Sequence, residues 1–158
     1  MGFGAISVKG RALRYLSQRE HSRVELERKL ARHVQDTEDA CAQAQIAAAL
    51  DDLAAKGLLS EARTAESVLN SQGRRYGVRR LKQTLQGKGL AAELVASTLL
   101  RARGTELERA QEVWRRRFGA PAADAAGRAR QMRFLAGRGF EGDVIRRVVR
   151  GVEDEHGA

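Results

Sequence analysis

The sequence predicts an all-α protein, three tandem three-helix repeats forming an elongated, curved helical array. Three observations carry that expectation. Apolar residues recur at helical spacing along nearly all of the 158 residues, as in Val78, Leu81 and Leu85, or Ala42, Ile46, Leu50 and Leu53. Aromatic residues make up only 4%, so a core must rest on Leu, Val and Ala, which suits close-packed helices better than sheets. The chain also matches itself. Shifted by 50 residues, Leu85, Gly87 and Gly89 fall on Leu135, Gly137 and Gly139, while Lys88, Leu90, Glu93, Leu94 and Val95 meet Arg138, Phe140, Asp143, Val144 and Ile145. Shifted by 55 the other way, Leu81 and Leu85 meet Leu26 and Leu30, and Gly77 meets Ser22, both acceptable helix N-caps.

In chain order, residues 1–10 read as a lead-in, and Ala12, Leu13, Tyr15 and Leu16 mark a short helix ending near Arg19. Ser22 and Glu25 have the spacing of a capping box, in which the hydroxyl accepts from the third helical N–H and the carboxylate reaches back, ahead of Leu26 and Leu30. Asp36 or Thr37 is placed to cap the longer helix carrying Ala42, Ile46, Leu50 and Leu53, which Gly57 ends. Ser60 then caps EARTAESVLNSQ, with its stripe Ala65, Val68 and Leu69. The stretch Gln72–Leu100 holds the next two helices: a basic amphipathic one on Val78, Leu81 and Leu85, and a second on Leu90, Leu94, Val95 and Leu99. Gly87 and Gly89 stand between them, able to take the left-handed backbone that ends a helix. Thr105 and Glu108 have capping-box spacing again before Leu107, Ala110, Trp114 and Phe118, and Gly119 and Pro121 close that helix. Helices AAGRARQMRFLAG and EGDVIRRVVRG complete the set. The expected boundaries are a lead-in 1–10, repeats 11–57, 58–104 and 105–152, and an acidic, fraying tail 153–158. Units of this size are expected to be too small for cores of their own, so neighbours should pack end to end.

The formal net charge of +9 is uneven. Residues 1–57 carry nine basic against eight acidic side chains, 58–104 nine against three, and 105–158 eleven against nine. A basic excess of this kind points to a polyanionic partner, nucleic acid or an acidic protein. Within the middle third, Arg74, Arg75, Arg79, Arg80, Lys82 and Lys88 have almost no local acid to pair with, so they are the leading contact candidates. Tyr76 among them either stacks on a base or anchors the inter-helix turn; spacing leaves both open. Arg115, Arg116, Arg130, Arg133 and Arg138 are weaker candidates. The run Arg115–Arg117 shares its helix with Glu108 and Glu112 and is expected to be a solvated face with helical ion pairs.

Other features read as structural. Trp114 and Phe118 lie on an apolar face and should pack in a core. His33 sits where an imidazole favours a helix C-terminus, and Cys41, beside Ala42 and Ile46, should be a packed or half-buried thiol. That lone cysteine excludes an internal disulfide, and no Cys and His cluster has zinc spacing, so no metal or cofactor is expected. His21, His33 and His156 pair with no nucleophile signature, and no phosphate-cradling glycine loop follows a strand, so no catalytic residue is assigned. The absence of a spanning apolar run or secretory segment suggests a cytoplasmic protein without membrane contact.

The segment LDDLAAKGLLSEARTAESVLNSQGRRYGVRRLKQTLQGKGL resembles the signature of the RecX family of bacterial regulatory proteins over nearly its whole length. SRVELERKL and RQMRFLAGRGFEGDVIRRVV look like that family's first and third repeats. The resemblance spans roughly residues 10 to 150, and its most specific parts are Leu50 to Gly57 and Tyr76 to Leu90. It implies a non-enzymatic, monomeric modulator of the RecA recombinase, binding the RecA filament on DNA and restraining its growth and activities, with weak, salt-sensitive binding to bare DNA. Val78 stands where the family commonly has proline, Thr64 where an aromatic is frequent and Thr84 where an acid is usual; none belongs to the basic cluster. Two rival readings use the same basic residues: a stand-alone helix-turn-helix-like nucleic-acid-binding protein, and a helical scaffold for another acidic partner.

Overall fold

In the computed structural model, which describes residues 4–151, helices are the only regular elements among the described residues. They are α1 (Val8–Gln18), α2 (Arg23–Leu30), α3 (Ala42–Ala55), α4 (Glu61–Gln72), α5 (Val78–Gly87), α6 (Ala92–Gly104), α7 (Glu106–Arg117), α8 (Ala125–Gly137) and α9 (Gly142–Arg150). The acidic tail expected at 153–158, with His156, lies outside the described residues. None of the described helices is long and apolar enough to cross a membrane.

The chain forms two compact units: one holds the residues up to Ser67 together with Gly87–Ala91, the other Val68–Gln86 together with the residues from Ala92 onward. In the first, α1, α2 and α3 pack pairwise around Ala12, Leu26, Leu30, Ile46, Leu50, Leu53 and Leu59. In the second, α7, α8 and α9 pack around a cluster that includes Ala110, Val113, Leu135, Phe140, Ile145 and Val148, with Trp114 against it. Against the expectation that triplets of this size lack cores, the first and last triplets each gather a buried cluster, of seven and eight side chains, with Leu59 reaching the first from beyond α3.

Several local expectations also change. The lead-in is shorter, because the Ser7 hydroxyl accepts from the Gly10 N–H (3.0 Å) and starts α1 at Val8. Asp36 does reach α3, accepting from the Ala42 N–H (2.7 Å), but from six residues away, while Thr37 closes its own turn with Ala40. Cys41 is the α3 N-cap residue and is exposed rather than packed. Thr105 forms no capping box: α6 runs into α7 almost without a break, so its hydroxyl bonds Ala102 O and Arg109 Nε instead of an α7 N–H. Gly87 is simply the last residue of α5, and Gly89 alone takes the left-handed conformation, at φ 69°.

The Ser22–Glu25 capping box is present with both bonds, and it does more than start α2. The Ser22 hydroxyl also donates to Lys88 O (2.6 Å), and the Lys88 ammonium donates to Glu25 Oε1 (2.8 Å). Gly89 follows, where a Cβ would stand 2.5 Å from a Val24 methyl. The second unit repeats this joint. There Gly77 N–H donates to Arg138 O (2.8 Å) and Arg79 N–H to Gly139 O (3.0 Å), with Gly139 at φ 83°. Ser22 and Gly77, and likewise Lys88–Gly89 and Arg138–Gly139, are the pairs that the 55- and 50-residue shifts superpose. One turn-on-helix-start joint, used twice, underlies the self-match.

The first joint makes folding sensitive to acid. Burial pushes the Glu25 carboxyl up, but hydrogen bonds from Lys88, Arg19 and the Ser22 N–H outweigh it and bring the value down to about 2, from 4.5. The unfolded chain therefore binds a proton at a pH where the folded chain does not. The stability that Glu25 contributes is complete above pH 4.5 and is lost as pH falls from there towards 2. Glu25→Gln is expected to remove on the order of 2 kcal/mol near neutrality and to flatten that limb in urea unfolding series run between pH 7 and pH 3. An equally steep limb in the variant would place the acid sensitivity elsewhere. His21 acts in the same direction at higher pH. It is 1% exposed, with Nδ1 donating to Arg19 O and Nε2 accepting from the Lys29 ammonium, 3.0 Å each. Burial lowers its pKa below 6.5 and outweighs the hydrogen bond to Arg19 O, which raises it, while the charges of Arg19 and Lys29 lower it further, so its contribution is full above pH 6.5 and declines below it.

Candidate functional site: an arginine cleft on an aromatic floor

The basic segment between α4 and α5 is a tight turn. Gly73 N–H returns to Leu69 O (2.9 Å), and the N–H groups of Arg75 and Tyr76 both return to Gln72 O (3.0 Å). From α7, Arg109 clamps it: Nη1 donates to Gly73 O (2.8 Å) and Tyr76 O (2.6 Å), while Nη2 donates to Ala102 O (2.7 Å). One turn of α7 earlier, Glu106 is 3% exposed, and its Oε1 accepts from the N–H of Val78 (3.0 Å) and of Glu141 (3.1 Å). One carboxylate thereby satisfies donors at the starts of both α5 and α9. Burial lowers the Arg109 pKa and the Glu106 charge partly restores it. Neither residue stands out in the sequence, where ELERA reads as mixed surface charge; only the fold turns Glu106 and Arg109 inward.

The Gly77–Gly139 crossing then sets the end of α8 against this turn. The guanidinium of Arg80 lies 4.6 Å from the Tyr76 ring centroid, that of Arg138 5.6 Å and that of Arg75 5.9 Å. Tyr76 is accordingly an anchor of the turn, through its backbone bonds to Gln72 and Arg109, and its ring is surrounded by cations.

Beside it opens a cavity of about 230 Å³. Its rim carries Arg74, Arg75, Arg116, Arg117 and Arg138, and Val113 and Phe134 supply its apolar lining. Phe134 is held edge-on by Phe118 (centroids 5.3 Å apart), with the guanidinium groups of Arg138 and Arg117 at 5.2 and 5.7 Å from its centroid. Among the described residues no ion pair involves Arg74, Arg75, Arg117 or Arg138, and Arg116 has only a long contact to Glu112 (3.7 Å). No acid occupies the first turn of α5, where Arg79 and Arg80 face the positive helix end.

The sequence candidates divide accordingly. Arg74, Arg75, Arg116 and Arg138 meet at the cleft, and Arg80 joins them around Tyr76. Arg79 and Lys82 are exposed on α5. Lys88 belongs to the other unit and, against the expectation of no local acid, is paired with Glu25 and only 18% exposed. Arg115 pairs with Glu112 (2.9 Å), as expected of a solvated face. Arg130 and Arg133 are exposed on α8 and do not line the cleft. Arg117, expected on a solvated face of ion pairs, lines the cleft instead, and Val113 and Phe134 join it there through an α7–α8 contact that no spacing rule shows. Trp114 packs on the core as expected, its indole N–H bonded to Gln131 Oε1 (3.0 Å). Among the described residues, no group of three or more His, Cys, Asp or Glu is placed to hold a metal ion.

Residues 60–99 match the family model described as RecX, second three-helix domain, and residues 105–149 match RecX, third three-helix domain. The Regulatory protein RecX of Leptothrix cholodnii is 54% identical over 151 residues, 96% of this chain and 92% of that one. The chain belongs to the RecX family. The Regulatory protein RecX of Ralstonia nicotianae is 43% identical over 148 residues, 94% of this chain and 89% of its own. The crystal structure of RecX from Lactobacillus salivarius has the same fold, with TM-score 0.71 at 21% identity over 90% of this chain and 92% of that one. The arginine cleft draws Arg74 and Arg75 from the second RecX domain and Arg116, Arg117, Phe134 and Arg138 from the third.

Proposed function

We propose that this protein is a non-enzymatic, monomeric cytoplasmic regulator, acting in DNA repair, recombination and the SOS response. It binds the RecA recombinase filament on DNA and modulates, mainly by inhibition, filament extension, ATP hydrolysis, strand exchange and co-protease activity. Membership of a family of regulatory proteins supports a regulatory role, and the observation that carries the polyanionic target is the set of guanidinium groups left without carboxylates around Tyr76 and Phe134. Like charges held together oppose folding, and an acidic filament surface or DNA phosphates relieve that repulsion on binding. Bare DNA is bound weakly, and the binding falls steeply with salt.

The test is RecA ATP hydrolysis on single-stranded DNA with this protein added below stoichiometry, comparing the native chain with Arg75→Glu/Arg79→Glu/Lys82→Glu. The native chain should lower hydrolysis and the triple variant should not. The variant is expected to unfold no earlier than the native chain, since an acid at position 79, in the first turn of α5, gains about 0.3–1 kcal/mol and positions 75 and 82 are exposed. Equal inhibition by both would move the contact surface away from α5. Inactivity of the folded native chain, coupled with tight sequence-dependent DNA binding, would favour the helix-turn-helix-like reader instead.

A further inference from the structure

We infer that the arginine cleft is a one-nucleotide pocket, taking a single nucleobase against Phe134 and Val113 with its phosphate on the rim arginines. This reading rests on the polyanion contact proposed above, but its test needs no RecA, so it can fail while regulation of RecA stands. Three features converge on it. The cavity has room for one planar ring system, about 230 Å³, rather than a folded partner surface. Its apolar lining is Val113 and Phe134; Phe134 is fixed in orientation by Phe118, and the guanidinium groups of Arg138 and Arg117 already stand over its ring at 5.2 and 5.7 Å, so an entering base takes their place or stacks on them. The charged rim consists of arginines alone, whose planar groups both stack on bases and bond phosphate oxygens in pairs.

A nucleotide joins an uncharged flat ring to an anionic group at a fixed separation, which is the combination this cleft presents. An acidic peptide would satisfy the rim, but its carboxylates would leave the Phe134 and Val113 lining to a separate side chain. Two sources supply the same chemistry: a nucleotide within a single strand, and a free nucleoside triphosphate. A strand also reaches the neighbouring Arg79 and Lys82, exposed on α5, with its flanking phosphates.

The experiment is a titration of the full chain, without RecA, into a short oligothymidylate carrying one central 2-aminopurine, whose fluorescence falls when the base stacks. A matching oligomer with an abasic site in that place carries the same charge. The expected result is quenching on binding and an affinity about tenfold lower for the abasic oligomer. Phe134→Leu, which keeps an apolar side chain against the core, should abolish both the quenching and the tenfold preference while circular dichroism stays native. Arg117→Gln should weaken both oligomers, and Arg147→Gln, exposed on α9 and not lining the cleft, neither. Displacement of the oligomer by ATP at comparable concentration assigns the pocket to free nucleotides, and its failure assigns it to strands. Equal affinity for the base-bearing and abasic oligomers, an unchanged preference in folded Phe134→Leu, or displacement by a short glutamate-rich peptide but not by nucleotides would overturn the assignment.

Discussion

Gly77→Ala is expected to destabilise the second unit by about 3 kcal/mol or more, the upper end of what an overpacked site costs. A Cβ on residue 77 would lie inside the van der Waals radii of Gly139 O and of the Phe140 N and Cα. These are backbone atoms and cannot rotate away. Opening the crossing would break the Gly77–Arg138 and Arg79–Gly139 hydrogen bonds and draw Arg138 off the Tyr76 ring. Gly87→Ala is the matched control, because a Cβ there meets nothing within 4 Å and the residue is helical. It should be neutral or gain about 0.5–1 kcal/mol. Urea unfolding of the two variants tests this directly. Equal midpoints would show that the crossing is slack and that Gly77 serves only as a helix start.

Arg109→Met is the second large effect, about 3 kcal/mol, with Arg109→Lys about 2 kcal/mol. The guanidinium bonds three carbonyls and one hydroxyl at once; methionine offers no donor, and a lysine ammonium, lacking the planar fork, cannot span all four. Beyond stability, the loss is local. Gly73 and Tyr76 are the residues released, so amide hydrogen exchange should accelerate most across residues 73–78 and least in α8 and α9. The 2-aminopurine quenching should weaken with it, because Arg74 and Arg75 ride on that turn. Uniform acceleration over the whole second unit, with no excess at 73–78, would mean that Arg109 stabilises the core rather than positioning the basic turn.

Much of this was legible in advance. Helix identity follows from local spacing, so Val78, Leu81 and Leu85 read as one buried face and are 1%, 0% and 0% exposed. Ser22 and Glu25 read as a capping box because both partners lie within four residues. The Thr105–Glu108 spacing is equally good and yields no box. What differs is the preceding chain, since α6 arrives almost without a break and the Thr105 hydroxyl is turned back to Ala102 O and Arg109 Nε instead of an α7 N–H. Lys88 shows the same limit for charge. Its acid is 63 residues away in sequence, so a search of neighbouring residues finds it unpaired, and the fold pairs it.

The sequence by itself determined the all-α class, the helix starts whose partners are local, the repeat spacing and the concentration of positive charge in the middle third. Each depends on interactions within a turn or two, or on composition, and the resemblance to RecX proteins rests on the same linear motifs. Only the tertiary structure decided which cations act together. The Gly77–Gly139 crossing brings Arg138 to Arg75 and Arg80, α7 adds Arg116 and Arg117, and Glu106 and Arg109 turn inward to hold the loop. Those choices depend on backbones meeting at glycines and on buried donors seeking acceptors more than 20 residues away, which no local pattern records.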